Sequence, residues 1–246
     1  MIIRRAWLLC ASLAFATLSA RAGDTMVSPV TLKAADGVRV YGDYYPVQRP
    51  KAVILLFHQA GSSKGEYRSI APRLVQDGFS ALAIDQRSGG SLFGPNETIV
   101  RAGKEGSYLD AAKDIEAAIG WARTRKLAIV LWGSSYSAAL VVLEASRHPE
   151  VRAVLAFSPG EYLGEPMLVH HAAAKLRMPF YVTSASDPQE VGAARSILAA
   201  SPSRFKRQFV ARHGVHGSST LIADRDRQGA SENWLAVEAF LRRLFP

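Results

Sequence analysis

The sequence has 246 residues, with 30 lysines and arginines against 21 aspartates and glutamates, and 48% of its residues are hydrophobic. The net charge of +9 is spread along the chain, with residues 204–207 as the dense group, so a solvated basic surface is favoured over nucleic-acid binding. The single cysteine, Cys10, lies in the first 22 residues, so the remaining chain can form neither a disulfide nor a thiolate nucleophile.

The first 22 residues have the pattern of a secretory signal peptide. Arg4 and Arg5 precede an apolar run at 6–18, and small residues lead to a cleavage position after Ala22. The run is shorter than the ~20 residues that a membrane span needs, although an uncleaved anchor is the alternative. We therefore expect a secreted or periplasmic protein whose mature chain comprises residues 23–246.

Residues 23–246 are enough for one α/β domain. Two strands at 30–33 and 38–45 are predicted to form an antiparallel hairpin, because a turn sequence separates β-branched and aromatic residues. Beyond residue 50, apolar runs alternate with helical periodicity, which predicts a mostly parallel sheet covered by helices on both faces. The further strands are predicted at 53–57, 80–84, 128–132, 151–157, 180–184 and 205–210, and the helices at 67–76, 108–124, 138–147, 191–200 and 232–244.

Two connections are unusually long, at 86–107 and 158–178. Loops of ~20 residues within a compact domain are usually functional or mobile, so these segments are candidates for a small lid. Too little sequence remains for a separate cap domain.

The strand at 128–132 is followed by Gly133, Ser134, Ser135, Tyr136 and Ser137. A serine on a sharp strand-to-helix turn is exposed as a nucleophile, and the residues two before and two after it must be small. Gly133 and Ser137 meet this requirement around Ser135, although Ser137 stands where the pattern G-x-S-x-G has glycine. The alternative is an ordinary turn in which Ser134 or Ser135 caps the helix.

Acyl transfer also needs hydrogen-bond donors for the developing oxyanion. The loop after the strand at 53–57 is polar and contains glycine, so the Ala60 amide is predicted to act together with the Tyr136 amide. The Gln59 amide is the alternative donor. The alternative interpretation of this loop is a plain turn between strand and helix.

A serine nucleophile needs an imidazole base, and an acid must hold that imidazole in one tautomer. Asp187 follows one predicted strand and His216 follows the last, so the order is Ser, Asp, His. His213 is the alternative base and Glu161 the rival acid. The other histidines downstream of Ser135 are expected at a helix end, for His148, and in the second long connection, for His170 and His171.

Metal and cofactor binding are not expected, because the mature chain has no cysteine and shows no close histidine–carboxylate spacing on one element. Residues 87–90 combine an arginine with glycines, which suits an anion site and equally a tight turn. The oligomeric state is left open.

The chain resembles the α/β-hydrolase superfamily, especially small capless members similar to dienelactone hydrolase and the serine-aminopeptidase-like esterases. The resemblance rests on segments 57–61, 85–90, 133–137, 186–188 and 215–217. It implies an α/β-hydrolase fold, a triad of Ser135, Asp187 and His216, and an oxyanion hole from Ala60 and Tyr136. The departures are Gln59 and Ser137, each in place of a glycine, and dienelactone hydrolases proper use a cysteine nucleophile.

We expect an exported serine hydrolase that cleaves small carboxylic esters without a cofactor. A peptidase or amidase with the same triad is one alternative, because a fold does not select the bond that is cleaved. A non-catalytic binding protein on a hydrolase scaffold is the other.

Overall fold

The computed structural model describes residues 26–246, and the predicted signal peptide lies outside them. The described residues form one sheet of eight strands in the order β1-β2-β4-β3-β5-β6-β7-β8. The strands are β1 (Ser28–Lys33), β2 (Arg39–Tyr45), β3 (Val53–Phe57), β4 (Ser80–Ile84), β5 (Ile129–Ser134), β6 (Val151–Phe157), β7 (Phe180–Thr183) and β8 (Lys206–Gln208). The helices are α1 (Ile70–Gln76), α2 (Glu97–Ala102), α3 (Ala112–Arg123), α4 (Tyr136–Ala145), α5 (Leu168–Ala173), α6 (Pro188–Ala200) and α7 (Ala230–Leu244), with 3-10 helices at Lys64–Tyr67 and Gly217–Leu221.

The sheet has an antiparallel edge and a parallel body. Strand β2 pairs antiparallel with β1 and with β4, and all other pairs are parallel. The predicted hairpin is therefore confirmed. Strands β3, β4 and β5 are buried along their whole length, as expected where helices cover both faces of a parallel sheet.

Apolar residues form a core on each face of the sheet. One cluster joins the sheet to α3, α4, α5 and α6. The other joins it to α1 and α7 and includes Trp132, stacked on Phe157 with ring centroids 4.4 Å apart. Helices α3 to α6 thus cover one face and α1 and α7 cover the other, and the carboxyl ends of the parallel strands lie at one edge of the sheet.

The helix boundaries differ from the prediction more than the strand boundaries do. The predicted helix 67–76 is a 3-10 helix followed by α1, and each long connection contains a short helix, α2 or α5. Helix α6 begins at Pro188 instead of residue 191, because Asp187 caps it and proline suits the first turn. This shift matters for the site, since it places Glu190 in the first turn of α6.

Within residues 26–246, none of the helices combines the length and the apolar character that a membrane crossing requires.

Candidate active site

Ser135 stands between β5 and α4 in a strained backbone conformation. Its φ of 59° and ψ of −122° are rare for a residue other than glycine. Its amide donates to the Phe157 carbonyl at 2.8 Å, which ties the turn to the neighbouring strand β6. A strained serine at the end of a central strand is the geometry of a nucleophile elbow.

The residues that flank Ser135 have distinct reasons to be small. A Cβ atom at Gly133 would lie 2.3 Å from the Ser137 carbonyl oxygen, so no other residue fits there without moving the backbone. The Ser137 hydroxyl is buried, 2.6 Å from the His58 carbonyl oxygen and 2.9 Å from Gln86 Oε1. The serine that replaces the expected glycine therefore ties the elbow to the loop after β3.

His216 lies between the serine and a carboxylate. Its Nε2 is 2.8 Å from Ser135 Oγ, and its Nδ1 is 2.8 Å from Glu190 Oε1. Both distances are within the reach needed for proton transfer from the nucleophile and for orientation of the base. The structure thus brings Ser135, His216 and Glu190 into one line of hydrogen bonds.

The prediction that Asp187 orients the imidazole is corrected by this geometry. Asp187 Oδ1 accepts from the amides of Gln189 at 2.9 Å and of Glu190 at 3.3 Å, so this carboxylate caps α6. Glu190, one helical turn further, reaches both His216 and the Ala185 amide. The Asp-x-x-Glu spacing resembles a capping box, so it predicts a helix start at Asp187 and places Glu190 in the first turn, but it does not indicate which of the two carboxylates faces His216.

The rival residues lie elsewhere. His213 is exposed, and its backbone carbonyl accepts from Asn233 Nδ2 at 3.2 Å. Glu161 accepts from the amides of Val169 and His170 at 2.9 and 2.8 Å, so it stabilises the first turn of α5. His171 is on the same helix and exposed.

Two backbone amides are available as oxyanion donors. The Ala60 amide has no acceptor within the described residues. Tyr136 is the first residue of α4, and the amides of the first turn of a helix have no acceptor within that helix. The Gln59 amide donates to Glu66 Oε2 at 2.8 Å. The alternative donor is therefore occupied, which favours Ala60.

Glu66 is a fully buried carboxylate next to these groups. It accepts from the Gln59 amide, from Gln59 Nε2 at 3.1 Å and from Ser134 Oγ at 2.8 Å. Burial raises its pKa to about 7, although the hydrogen bonds from Gln59 and Ser134 and the proximity of His216 act in the opposite direction. Each of these hydrogen bonds is donated to Glu66 and favours its ionised form, but the effect of burial is larger, so the net pKa is raised.

The loop that carries His216 is fastened to the strand ends by serines. The Ser218 amide donates to Ser134 Oγ at 2.8 Å, and the Gly217 amide donates to Ser158 Oγ at 2.9 Å. Trp132 Nε1 donates to Ser218 Oγ at 2.9 Å. These bonds fix the backbone on the carboxyl side of the imidazole.

His58 and Arg87 have structural roles. His58 is buried with Nδ1 2.9 Å from the Gln59 carbonyl, and Nε2 accepts from the Gln86 amide at 3.0 Å, so the proton of the neutral ring is on Nδ1. Burial lowers the pKa of this imidazole. Arg87 pairs with Asp36 and Asp114, which leaves it no free face for an anion.

Comparison with known proteins gives one family. The family model described as serine aminopeptidase, S33 matches residues 48–217, a span that includes Ser135, Glu190 and His216. No curated protein matches the chain at a significant level.

Solved structures of hydrolases share the fold. A dienelactone hydrolase from Anabaena variabilis is 17% identical, with 90% of this chain and 99% of that chain covered and a TM-score of 0.70. An esterase from Pyrococcus furiosus is 18% identical, with 90% and 94% covered and a TM-score of 0.70. A carboxyl esterase from Bacillus coagulans is 11% identical, with 89% and 99% covered and a TM-score of 0.68. The predicted α/β-hydrolase fold is therefore confirmed.

Proposed function

The chain belongs to the serine aminopeptidase, S33 family of α/β hydrolases, and we propose that it is a serine hydrolase that cleaves small carboxylic esters through an acyl-enzyme. The observation that carries the proposal is the line of two 2.8 Å contacts from Ser135 through His216 to Glu190. A non-catalytic binding protein on the same scaffold would not require this chain of hydrogen bonds between serine, histidine and glutamate.

In the first half of the reaction, Ser135 Oγ attacks the acyl carbon and His216 Nε2 takes its proton. The proton on His216 Nδ1 is donated to Glu190, which keeps the imidazole in the required tautomer and stabilises the imidazolium that forms. Burial raises the pKa of Glu190, but the hydrogen bonds from His216 and Ser158 outweigh it and the net pKa is lowered. Glu190 is therefore ionised when His216 becomes charged.

The developing oxyanion is stabilised by the amides of Ala60 and Tyr136. His216 then returns its proton to the leaving alcohol, and water activated by the same imidazole releases the acid from Ser135. In this scheme Glu66 holds the Gln59 amide, so that the next amide of the loop stays free for substrate.

The family name favours a second candidate, an aminopeptidase that cleaves amide bonds with the same three residues. Esters are placed first because two of the structural relatives described above are named esterases. The absence of a sequence segment long enough for a separate cap suits small substrates in an open cleft.

Export is part of the proposal, and it is supported by the signal-peptide pattern of the first 22 residues. In the source cells the mature protein is expected to begin at Gly23 and to be recovered from the periplasm or the medium. N-terminal sequencing of the fractionated protein tests this, and an intact N-terminus in the cytoplasm would contradict it.

The activity is tested on purified mature protein with a fluorophosphonate probe and with paired substrates, a p-nitrophenyl acetate series and aminoacyl anilides. We expect labelling at Ser135 and faster turnover of esters than of anilides. Ser135→Ala should lower kcat by about four orders of magnitude or more, because the triad members act as a unit. Unchanged turnover in Ser135→Ala would refute the assignment, and a preference for anilides would establish the peptidase instead.

A further inference from the structure

We propose that Glu116, Glu144 and His148 form a binding site for a divalent transition-metal cation, foremost Zn²⁺, that links α3 to the carboxyl end of α4. Each of the three side chains offers one ligand atom, and these atoms all lie within 4.8 Å of one another. The site is built on α3, on α4 and on the turn that follows α4, and it shares no residue with the candidate active site.

The first argument is the state of Glu144. Its side chain is fully buried. Oε1 accepts from Arg147 Nη1 at 3.0 Å, but no hydrogen-bond donor to Oε2 lies in the described part of the chain. A buried carboxylate oxygen without a hydrogen-bond partner is costly, so a metal cation bound to this atom would stabilise the folded chain.

The second argument is the position of His148, four residues after Glu144. This is a close histidine–carboxylate spacing, so the expectation that the sequence contains none is wrong. Its Nε2 faces Glu144 Oε2 at 3.6 Å, which is too long for a hydrogen bond. Its Nδ1 lies 3.3 Å from Glu150 Oε1, the arrangement in which a carboxylate orients a metal-binding imidazole. When the Nδ1 proton points to Glu150, the Nε2 lone pair faces the lone pairs of Glu144 Oε2, and the two atoms repel each other. A cation between them would be coordinated by both atoms and would remove this repulsion.

The gap between these two atoms has the size of a zinc site. A metal at ordinary zinc bond lengths of about 2.0–2.1 Å from both Nε2 and Oε2, which are 3.6 Å apart, would subtend an angle of about 120°. This angle lies close to the tetrahedral value. His148 follows the end of α4, but its amide still donates to the Glu144 carbonyl at 3.1 Å, so the two side chains lie on the same face, as positions i and i+4 of a helix do.

Glu116 supplies the third ligand from the neighbouring helix α3. Because its side chain is exposed, it can close the remaining distance without disturbing the core. The carboxylates of Glu116 and Glu144 supply two negative charges, of which Arg147 offsets part at Glu144 Oε1, and water can complete the coordination sphere.

The mixed donor set decides the class of metal. One imidazole nitrogen with two carboxylate oxygens suits Zn²⁺ and similar transition metals, whereas Mg²⁺ and Ca²⁺ prefer sites made of oxygen alone. The competing explanation is a plain ion pair between Glu144 and a doubly protonated His148, which would need no metal.

The test is isothermal titration of the metal-stripped, tag-free mature protein with ZnCl2, and in parallel with MgCl2. We expect one zinc ion per chain and no comparable magnesium binding. His148→Ala and Glu116→Gln should each weaken zinc binding at least about tenfold, since each removes a ligand. Zinc should also raise the Tm of the wild type and should not raise that of His148→Ala, because the ligand stabilises only the folded state that binds it.

Two further variants serve as controls, and both should keep the wild-type zinc affinity. His171→Ala removes an exposed histidine on α5, and His216→Ala removes the other histidine that faces a glutamate. If the wild type takes up no zinc, or if His148→Ala and Glu116→Gln bind it as tightly as the wild type does, the proposal is wrong. Loss of zinc binding in His216→Ala would place the metal at the active site and would equally overturn it.

Discussion

At the scale of single residues, the site depends on which of two neighbouring carboxylates meets the imidazole. Asp187 and Glu190 are three positions apart, and both accept hydrogen bonds from backbone amides. Only Glu190 also contacts His216 Nδ1, at 2.8 Å. The roles of helix cap and orienting acid are therefore divided between them.

Glu190→Gln should lower kcat for a p-nitrophenyl ester by about 10³- to 10⁴-fold, since an amide in place of the carboxylate no longer stabilises the imidazolium or holds its tautomer. Steady-state kinetics gives the change in kcat, and circular dichroism checks that the variant is folded.

Asp187→Asn is the matched control. Asparagine caps helices as well as aspartate does, so kcat and stability should both stay close to those of the wild type. A large loss of kcat in Asp187→Asn with little loss in Glu190→Gln would restore Asp187 as the acid.

Glu66 is the second residue whose effect depends on its surroundings. Its pKa is about 7 in the folded protein, raised by burial from its ordinary 4.5. Between these two values the folded chain holds a proton that the unfolded chain has released, so stability is lost as pH rises through this window.

Glu66→Gln has no such proton. The free energy of unfolding of the wild type, relative to that of Glu66→Gln, should therefore fall by about 3 kcal/mol between pH 4.5 and a pH above 7. Urea denaturation of both proteins across this range measures the difference. A difference that does not change with pH would show that Glu66 titrates like an exposed carboxylate.

Ser134→Ala provides a control for the direction of the effect. The Ser134 hydroxyl donates to Glu66 and stabilises its charge, so its removal should move the loss of stability to higher pH.

At the scale of elements, the turn between β5 and α4 decides whether a nucleophile exists at all. Two observations define it, the positive φ of Ser135 and the close approach of Gly133 to the backbone of α4. The strand leads directly into the helix because the turn contains no bulky side chain.

Gly133→Ala should destabilise the protein by several kcal/mol or prevent folding, because its Cβ would lie 2.3 Å from the Ser137 carbonyl oxygen. Gly120→Ala is the matched control within α3. A Cβ there meets nothing within 4 Å, so the change should stabilise the protein by about 0.5–1 kcal/mol. Thermal unfolding of both variants measures this, and a folded, active Gly133→Ala would contradict the described geometry.

The elements also show which parts of the fold can be predicted locally. The strands β3, β4 and β6 have the predicted boundaries, because a buried strand is a largely apolar run of five to seven residues. Apolar periodicity predicts the start of α6 three residues late, because the first turn of a helix is set by its cap and by proline and shows no such periodicity.

At the scale of the whole molecule, one buried arginine joins three distant parts of the chain. Arg87, in the first long connection, donates to Asp114 of α3 through Nε at 2.9 Å and Nη2 at 2.7 Å. It also pairs with Asp36, in the turn between β1 and β2. The hairpin, the helix and the connection are thus held together next to the core.

Arg87→Met should lower the free energy of unfolding by about 3–5 kcal/mol, because it leaves the carboxylate of Asp114 buried and unpaired. Adding Asp114→Asn to the same chain should recover part of the loss. Urea denaturation measures both changes.

Arg101→Met is the control, since its pair with Glu97 is exposed and contributes less than about 1 kcal/mol. Equal effects of Arg87→Met and Arg101→Met would show that the buried pair does not hold these segments together.

The sequence by itself determined the alternation of strands and helices, the antiparallel hairpin and the position of the strained serine. These features depend on burial patterns and turn residues within a few positions of one another, which are readable without the fold.

Only the tertiary structure decided which carboxylate accepts a hydrogen bond from His216 and which backbone amides remain available for the oxyanion. The pairing of Glu190 with His216 spans 26 residues, and the occupation of the Gln59 amide depends on a buried Glu66 that no periodicity distinguishes from a surface residue. Both contacts depend on the directions that the side chains take once the strands have assembled. Sequence spacing alone does not distinguish a carboxylate that caps its own helix from one that contacts another loop.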